Sequence, residues 1–545
     1  MSAVIAESLR QLGVTVIFGI VGIPVIEVAK ACQDQGIRFI AFRNEQAASY
    51  AASIYGYLTG LPGVCLSVGG PGVFHCLPGV DNASANRFPM LLISGSSETH
   101  QRGKGAFQQL DQVALLRPLT KFAEQPATLA AVPELLEKAY RIAHYGKPGP
   151  TYVDLPADII QSGANVSIEL RATPPAPKPA GDPARVRAAA NLLKSAKTPL
   201  LIVGKGAAYA NAEAQIRAFQ TETGISYLPT PMGKGVLPDS GELNVNAARS
   251  AALKSADVIL LLGARLNWIL HYGEAPKFSP NVKIIQVDIS PEELGSNGGS
   301  AELGIWGDVG LVVDQLSAEL SSWNAPLSPE LFKIKAANEQ KALASEKLQT
   351  PLNYKNVYAT IRELLPADTI YVSEGANTMD ISRTSFPLDL PRTRLDAGTN
   401  ATMGVGLGYA IAAKVAKPES LVVAIEGDSA FGFSGFEIDT AVRSNLPMVI
   451  FIMNNSGVYH GVDPALYSKH DVVLPPTALG HNTEYHKLAE SLGAIGLLAT
   501  TLDEVRDATK RAISSNRVAV VNVLIDPGKD KKLEFGWMAS TKPKI

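Results

Sequence analysis

The feature that most constrains the fold is a series of short, uninterrupted apolar runs that recur along the whole chain, separated by helix-sized segments. Continuous rather than alternating hydrophobicity is typical of parallel strands that are buried on both faces of a sheet. The clearest runs are VTVIFGI, IRFIAF, GVCLSV, MLLISG, PLLIVG, VILLLGA, KIIQVDI, TIYVSEG, LVVAIEGD, MVIFIMNN and AVVNVLI. Their alternation with helical segments predicts an α/β fold of doubly wound parallel sheets.

Two segments without core character divide the chain into thirds. Residues 171–185, RATPPAPKPAGDPAR, contain five prolines and are predicted to form a semi-rigid linker. Residues 319–352 are predicted to form a helical stretch rich in Ala, Lys and Glu that leads into LQTPLNY. A chain of 545 residues is too long for one core. The sequence therefore predicts three doubly wound domains and a short tail, at 1–170, 183–330, 350–530 and 531–545.

The composition favours a small-molecule substrate over a nucleic acid or a membrane. Apolar residues make up 46% of the chain and charged residues 18%, which is typical of a well-packed globular protein. The net charge of −2 provides no general attraction for nucleic acid or for a membrane surface. The most apolar window, which begins at Ala256, is interrupted by Arg265, so no membrane span is expected.

Polar residues follow two of the apolar runs, in VVAIEGDSAFGF (422–433) and VIFIMNNSGVYHG (449–461). The carboxyl ends of parallel strands meet at one edge of the sheet, where ligands bind. Asp428 can supply a carboxylate oxygen, Asn455 an amide oxygen and Gly457 a backbone carbonyl, and Mg²⁺ prefers such oxygen ligands. The sequence thus predicts a metal site completed by a diphosphate. The alternative is that both segments are ordinary turns.

Small residues beside Asp428 favour a phosphate ligand, because Gly427, Ser429 and Ala430 allow backbone N–H groups to approach phosphate oxygens. Gly-Asp-Ser followed by Asn-Asn after one crossover resembles the cofactor signature of thiamine diphosphate enzymes, and the three-domain layout resembles theirs too. The resemblance implies a pyrimidine-binding, a middle and a diphosphate-binding domain in that order. It also implies thiamine diphosphate and Mg²⁺ as cofactors.

The first third contains a candidate for the carboxylate that activates such a cofactor. Glu45 follows an apolar strand and begins a helix rich in alanine, so its carboxylate is expected to be poorly solvated. In the family, the glutamate of this Arg-Asn-Glu-x-x-Ala pattern contacts the pyrimidine ring, and Glu45 matches it. The alternative is a helix N-terminal residue stabilised by the helix dipole. Family members join their pyrimidine and diphosphate domains across subunits, which implies a homodimer or a homotetramer.

Three further segments resemble the 2-hydroxyacyl-CoA lyases and the related oxalyl-CoA decarboxylases: SEGANTMDISRT, RLDAGTNATMGVGLGYAIAA and EGDSAFGFSGFE. The resemblance implies that Met403 supports the bent cofactor and that the Ala401 carbonyl receives its amino group. It further implies cofactor contacts for Asn377 and Thr378 and an active-site role for Tyr459. A helix cap is the alternative for Asn377 and Thr378, and packing is the alternative for Tyr459.

Gln108 bears on the choice between these two activities. It matches a substrate-facing position that is a glutamate in the decarboxylases, so the amide favours the lyase. The alternative is a solvated loop side chain. The chain also departs from its relatives at Asn400 and Ala401, where they have an aromatic residue and a glycine, which bears on substrate preference and activity.

The middle third offers polar residues at predicted strand ends, where a nucleotide could bind. Asp288 could bond a ribose hydroxyl, Arg265 a phosphate, and Lys205 and Asn267 lie at neighbouring strand ends. The expected ligand is the ADP portion of coenzyme A or a regulatory nucleotide such as ADP. The alternative role of these residues is to form surface salt bridges. An alternative ligand is a flavin nucleotide, as in the acetolactate synthases.

The C-terminal segment supports two weaker predictions. Phe535 and Trp537 could anchor the tail over the coenzyme A arm, or the tail could simply dock on the protein. The final Pro543-Lys544-Ile545 distantly resembles a peroxisomal targeting signal, which predicts a peroxisomal location. The alternative is that the tripeptide is only a frayed tail and that the protein is cytoplasmic.

These features lead to three functional hypotheses. The first is cleavage of a 2-hydroxyacyl-CoA to formyl-CoA and an aldehyde, and the second is decarboxylation of oxalyl-CoA to formyl-CoA and CO₂. The third is a cofactor-binding scaffold subunit without strong activity. Loss of the activating carboxylate or the metal ligands would indicate the third, and Glu45, Asp428 and Asn455 are all present.

Overall fold

A computed structural model describes residues 1–163, 168, 170, 173–297, 303–469 and 471–528. The predictions for the tail at 531–545, including those for Phe535, Trp537 and the C-terminal tripeptide, lie outside the described residues and stay predictions. Among the described residues, no helix combines the length and the apolar character needed to cross a lipid bilayer.

The first third of the chain forms a parallel sheet packed against helices. Its strands are β1 (Val16–Gly19), β2 (Arg38–Ala41), β3 (Gly63–Ser67), β4 (Met90–Ser96), β5 (Phe122–Glu124) and β6 (Pro150–Pro156). Its helices are α1 (Ser2–Gln11), α2 (Ile26–Asp34), α3 (Glu45–Thr59), α4 (Pro71–Asn86), α5 (Gln112–Leu116), α6 (Val132–His144) and α7 (Ala157–Ile160). The strand order is β2-β1-β3-β4-β6-β5, so the order of strands reverses between β1 and β3.

The middle third forms a second parallel sheet. Its strands are β7 (Pro199–Val203), β8 (Tyr227–Pro229), β9 (Val258–Leu262), β10 (Lys283–Asp288) and β11 (Gly304–Trp306), in the order β11-β10-β9-β7-β8. Its helices are α8 (Pro183–Ser195), α9 (Lys205–Tyr209), α10 (Glu213–Thr223), α11 (Arg249–Ser255), α12 (Val309–Glu319) and α13 (Pro329–Glu346).

The last third repeats the topology of the first. Its strands are β12 (Ile370–Glu374), β13 (Arg394–Asp396), β14 (Val422–Gly427), β15 (Val449–Asn454), β16 (Ile495–Ala499) and β17 (Ala519–Leu524), in the order β13-β12-β14-β15-β17-β16. Its helices are α14 (Tyr354–Arg362), α15 (Ala376–Ser385), α16 (Gly406–Ala416), α17 (Asp428–Ser434), α18 (Glu437–Arg443), α19 (Tyr485–Ser491) and α20 (Leu502–Ser514). The strand order reverses between β12 and β14, and such a reversal opens a ligand crevice at the carboxyl ends of the strands.

The predicted fold class is confirmed. Every apolar run named above forms a parallel strand, and the strands are covered on both faces: Leu92 of β4 packs into one core, while Leu91 and Ile93 pack into another. The sequence did not indicate the remaining strands, for physical reasons. β5, β8, β11 and β13 have only three residues each, β6 begins and ends with proline, and β16 is a partly exposed edge strand.

One hydrophobic core joins the first and last sheets through helices α3 and α16. The helix backbones approach closely because small residues face each other, with Ala47 and Ala48 on α3 and Gly408 on α16. The ring of Tyr50 on α3 packs edge-on against Tyr409 on α16, with ring centroids 6.3 Å apart. The beginning of α3 therefore has a fixed position relative to the last sheet.

Replacing Gly408 with alanine tests this close contact. The added methyl group would lie 2.6 Å from the Ala47 carbonyl oxygen, so the two helices would have to separate. We expect the free energy of unfolding to fall by about 1–3 kcal/mol, measured as a lower thermal midpoint.

Gly432→Ala on α17 is the matched control, because no heavy atom lies within 4 Å of the methyl group it would add. We expect that variant to keep or slightly raise the midpoint, since alanine favours a helix over glycine. An unchanged midpoint in Gly408→Ala would contradict the tight packing of α3 on α16.

Candidate active site

The tips of β14 and β15 bring two side-chain oxygens together at one backbone amide. The N–H of Gly457 donates to Asp428 Oδ2 at 3.2 Å and to Asn455 Oδ1 at 3.1 Å. Gly427, which ends β14, pairs with Met453 of β15, so the register of the sheet sets this convergence. The structure thus brings together the three residues of the predicted metal site, with the amide of Gly457 directed at the other two.

Asp428 has the chemical character expected of a cation ligand. The residue is 3% exposed, and among the described residues it makes no ion pair. Burial raises the pKa of its carboxyl group to about 7, although hydrogen bonds from the N–H groups of Ser429 and Gly457 act in the opposite direction. A buried carboxylate next to an amide oxygen fits a hard cation such as Mg²⁺. Because the described residues contain no group of three or more acidic, His or Cys side chains suited to a metal, other ligands would supply the rest of the shell.

The small residues beside Asp428 leave space at the strand tip. A methyl group on Gly427 would lie 3.1 Å from the hydroxyl oxygen of Thr378, which places the tips of β12 and β14 side by side. Ala430 is buried, and the N–H of Ser429 donates to Asp428 Oδ1 at 2.9 Å. The amide of Ser429 is thus engaged by Asp428, which the sequence did not indicate.

The predicted contacts Asn377, Thr378 and Tyr459 join the same edge of the sheet. Asn377 Nδ2 donates to the carbonyl of Tyr459 at 2.7 Å, and Asn455 Nδ2 approaches the same carbonyl at 3.4 Å. Tyr459 has a φ of 71°, in the left-handed region. Thr378 is 2% exposed, and its carbonyl accepts a hydrogen bond from the Tyr358 hydroxyl. The tips of β12, β14 and β15 therefore form one continuous polar edge.

The loop before α16 carries Ala401 and Met403. Ala401 ends the turn 398–400 with a φ of 49°, a left-handed conformation that favours glycine. Met403 is half-buried next to it. The two carboxylate oxygens of Glu374, at the tip of β12, accept hydrogen bonds from the N–H groups of Gly404 and Gly406. Glu374 therefore holds the position of this loop.

Glu374 and Glu426 form a buried acidic pair that the sequence analysis missed. They are register partners on β12 and β14, and both are 1% exposed or less. Burial raises the pKa of Glu374 to about 7, while burial and the charge of Glu374 raise that of Glu426. Both oxygens of Glu426 lack a hydrogen-bond partner among the described residues. The signal was available, since a Glu-Gly pair ends both apolar runs.

Glu45 begins α3, as predicted, and its side chain is 14% exposed. Its Oε2 lies 3.1 Å from Nδ1 of His75 on α4. The next residue, Gln46, lies against the loop before α16. A methyl group added to Gly404 in that loop would be only 2.9 Å from Gln46 Nε2. Within one chain the first turn of α3 thus packs beside the segment that carries Met403.

Gln108 lies in the loop between β4 and α5 and is half-buried, with a φ of 54°. Its backbone packs against Gly70, the residue that precedes α4. The loop is anchored by buried Gln112, whose amide group contacts Asp154, Tyr152 and the N–H of Gly70. The structure therefore places Gln108 at the start of the helix that carries His75, rather than at the strand tips.

The four residues predicted to bind a nucleotide line one cavity of about 700 Å³. Lys205 donates to Asn86 Oδ1 at 2.5 Å, and Arg265 donates to the Ala85 carbonyl and to Thr399 Oγ1. Asn267 Nδ2 also reaches Thr399 Oγ1, at 3.3 Å. Among the described residues, Lys205, Arg265 and Asp288 form no ion pair, so the structure gives no support to the salt-bridge alternative for this set.

Burial shifts the pKa values of the charged groups in this cavity. It lowers the pKa of Lys205 and of Arg265, and it raises that of Asp288 to about 6. Aromatic side chains also line the wall, including Tyr57, Phe88 and Tyr209, and Lys205 Nζ lies 5.0 Å from the centroid of the Phe88 ring. The cavity thus combines basic side chains with an aromatic surface.

Comparison with known protein families shows matches in each third of the chain. Residues 1–115 match the N-terminal TPP binding domain of thiamine pyrophosphate enzymes, residues 186–316 the central domain, and residues 374–523 the C-terminal TPP binding domain. These matches follow the order of the three parallel sheets.

Individual proteins match over nearly the whole chain. The chain is 46% identical to 2-hydroxyacyl-CoA lyase 1 of Mus musculus, covering 98% of this chain and 96% of the mouse protein. It is 44% identical to 2-hydroxyacyl-CoA lyase of Saccharomyces cerevisiae, covering 99% and 98% of the two chains. It is 41% identical to oxalyl-CoA decarboxylase of Escherichia coli, covering 99% and 97%.

Replacing Ala401 with glycine tests the strain in the loop before α16. Glycine adopts the left-handed conformation without the steric cost that alanine bears. We expect the free energy of unfolding to rise by about 1 kcal/mol, measured as a higher thermal midpoint. Ala397→Gly is the matched control: its φ is −59°, so glycine there should lower the midpoint instead. A lower midpoint in both variants would contradict strain at Ala401.

Proposed function

The chain belongs to the thiamine pyrophosphate enzyme family, and we propose that it is a lyase that cleaves 2-hydroxyacyl-CoA to formyl-CoA and an aldehyde. Full-length identity of 44–46% to proteins named 2-hydroxyacyl-CoA lyase supports this activity. The observation that carries the proposal is the convergence of Asp428 and Asn455 on the amide of Gly457, in a chain that also keeps Glu45.

The strand tips are proposed to hold the diphosphate end of the cofactor through Mg²⁺. Asp428 and Asn455 would supply side-chain oxygens to the metal, and Gly457 a backbone carbonyl. Gly427, Ser429 and Ala430 would keep the tip small enough for the phosphates. Asn377, Thr378 and Tyr459 would line the same edge.

Other residues would orient and activate the ring system. When bound, thiamine diphosphate accepts the electron pair released as the C1–C2 bond of the substrate breaks. Met403 would support the bent cofactor, and the Ala401 carbonyl would accept a hydrogen bond from its amino group. Glu45 would hold the proton at the pyrimidine nitrogen, a task suited to a largely buried carboxyl group.

Gln108 supports the lyase over the decarboxylase. The resemblance implies that Gln108 lies at a substrate-facing position where the decarboxylases have a glutamate, and a neutral amide there would place no negative charge beside the substrate. The loop that holds Gln108 is fixed by Gln112, so its backbone is well supported. Decarboxylation of oxalyl-CoA is the second candidate, favoured by the 41% identity to oxalyl-CoA decarboxylase. A scaffold role is disfavoured, because the activating carboxylate and the metal-site residues are present.

The active site is proposed to be shared between subunits of a homodimer or homotetramer. Large aromatic side chains near the site are exposed in the single chain: Phe74 on α4 is 49% exposed, Phe433 on α17 is 54% exposed and Phe436 is 61% exposed. Apolar surface of this kind at a functional site favours coverage by another subunit.

The cavity lined by Lys205, Arg265, Asn267 and Asp288 is proposed to bind ADP, either as a free nucleotide or as part of coenzyme A. The basic side chains of Lys205 and Arg265 could bind a diphosphate, and the carboxyl group of Asp288 at the tip of β10 could hydrogen bond to a ribose. The aromatic side chains of the wall could pack against a base. The volume of about 700 Å³ is within the range of small-molecule sites.

Assay of formyl-CoA tests the proposed activity. We expect formyl-CoA from 2-hydroxyacyl-CoA only when thiamine diphosphate and Mg²⁺ are both present. Glu45→Gln should lower kcat by about 10²–10⁴-fold, because it removes the group that exchanges the proton with the pyrimidine. Glu134→Gln, which also removes a carboxylate from the first turn of a helix, is the matched control and should keep full activity.

The substrate comparison separates the three hypotheses. If formyl-CoA forms from oxalyl-CoA but not from 2-hydroxyacyl-CoA, the chain is a decarboxylase and the proposed lyase activity is wrong. Formation from neither substrate would favour the scaffold role, and full activity of Glu45→Gln would remove the proposed role of that residue.

Calorimetric titration with ADP tests the nucleotide site. Loss of a charge-assisted hydrogen bond in Lys205→Met should weaken ADP binding by about tenfold or more. Lys194→Met on the exposed face of α8 is the control and should bind ADP as the unmodified chain does. Displacement of ADP by coenzyme A would identify the cavity as the coenzyme A site, and independent binding would identify a separate nucleotide site. Equal ADP affinity in Lys205→Met would contradict the assignment.

A further inference from the structure

Helix α18 holds the chain segment that leads into Glu45. Arg443 at its end donates to the Ala41 carbonyl at 2.9 Å, and Arg38 donates to the Ser444 carbonyl at 2.6 Å. Thr440 approaches the Ala41 carbonyl as well, at 3.4 Å. A helix of the last third thus fixes the strand end that precedes α3 in the first third.

Glu437, the first residue of α18, makes the most direct of these contacts. It is 1% exposed, and both of its carboxylate oxygens lie 3.2 Å from the backbone nitrogen of Arg43. The N–H of Asn44 also hydrogen bonds to it, and the Thr440 hydroxyl donates to it at 2.6 Å. A buried carboxylate bonded to consecutive backbone amides cannot move without moving that backbone or losing those bonds. Glu45 is the next residue along the chain.

The same chain segment connects Glu437 to the strand tips. α17 begins at Asp428, and α18 follows it after only Gly435 and Phe436. Phe431 on α17 is 1% exposed and packs in the core that joins the first and last sheets. A shift of the first turn of α17 would therefore be transmitted to α18 over a short and packed segment.

We propose that Glu437 is a positioning residue that couples the strand tip at Asp428 to the backbone preceding Glu45, so that a metal-bound diphosphate at the tip orients Glu45. This inference rests on the proposed function, since it takes from it the role of Glu45 and the diphosphate site. Glu437 itself contacts neither the cofactor nor the substrate, and it acts through the amides of Arg43 and Asn44.

The coupling has a consequence for an oligomer. If the active sites lie between subunits, as proposed, Asp428 and Glu45 of one chain serve two different cofactors. Glu437 would then connect two active sites, and binding at one would bias the activating group of the other.

Amide hydrogen exchange with Mg²⁺ and inorganic pyrophosphate as the probe tests the coupling without any catalysis. Pyrophosphate can occupy the strand tips but has no pyrimidine ring that Glu45 could contact. We expect exchange at the Arg43 and Asn44 amides to slow by at least about fivefold on addition of the probe. In Glu437→Gln we expect this response to be lost, because an amide cannot accept the backbone N–H groups with two charged oxygens.

Asp439→Asn is the matched control. Asp439 lies on the same helix, and its carboxylate is 3.8 Å from the Arg43 guanidinium, but it accepts no hydrogen bond from the 43–44 backbone among the described contacts. We expect this variant to show the full exchange response. No response in the unmodified chain, or a full response in Glu437→Gln, would overturn the coupling. The measurement on the unmodified chain holds even if Glu437→Gln folds poorly.

Steady-state kinetics separates a failure of this inference from a failure of the proposed function. Misplacing Glu45 should lower kcat of Glu437→Gln by about 10²-fold while the KM for thiamine diphosphate changes little. If Glu45→Gln is fully active, the proposed function fails, whatever the exchange data show. If Glu45→Gln is inactive but the amides of Arg43 and Asn44 do not respond to pyrophosphate, only the coupling fails.

Discussion

The close packing of α3 on α16 is the contact on which the rest of the site depends. These helices join the first and last sheets into one core, and glycine and alanine at their interface allow the backbones to approach. Each helix begins beside a functional segment: α3 starts at Glu45, and α16 follows the loop that carries Met403. Within one chain, the position of Glu45 relative to the loop that carries Met403 is therefore fixed by helix packing and not by flexible loops.

The last third buries several acidic side chains. Burial raises the pKa values of Asp428, Glu374 and Glu437 to about 7, above the value of about 4 expected for these groups in an unfolded chain. Such groups contribute most to stability below the unfolded pKa, and the contribution is lost as the pH rises through about 7. For all three groups, hydrogen bonds from backbone N–H groups offset part of the free-energy cost of burying the charged carboxylate, and a cation at Asp428 would offset it further. These buried carboxyl groups thus reduce stability at neutral pH, and a metal bound at Asp428 would relieve part of that loss.

Much of the fold followed from the sequence, because strands buried on both faces must be continuously apolar. The tips of β14 and β15 could also be located, since polar residues that end neighbouring parallel strands meet at one edge. The Glu-Gly pair at the strand end marked Glu374 as a candidate, but the side-chain pattern could not predict its partners, which are the backbone amides of Gly404 and Gly406. Glu437 was missed because one of its main partners is the backbone amide of Arg43, which lies in another third of the chain.

The turn 398–400 shows why the middle third cannot be treated as a separate module. Arg265 and Asn267 line the cavity and also bond to Thr399 Oγ1, while the Trp268 indole N–H donates to the Thr399 carbonyl at 2.8 Å. Ala401, with its left-handed backbone, comes only two residues later. A ligand that draws Arg265 toward a phosphate must compete with its bonds to this turn. Ligand binding in the cavity would therefore draw on the same hydrogen-bond donors that hold the turn before Ala401 and Met403.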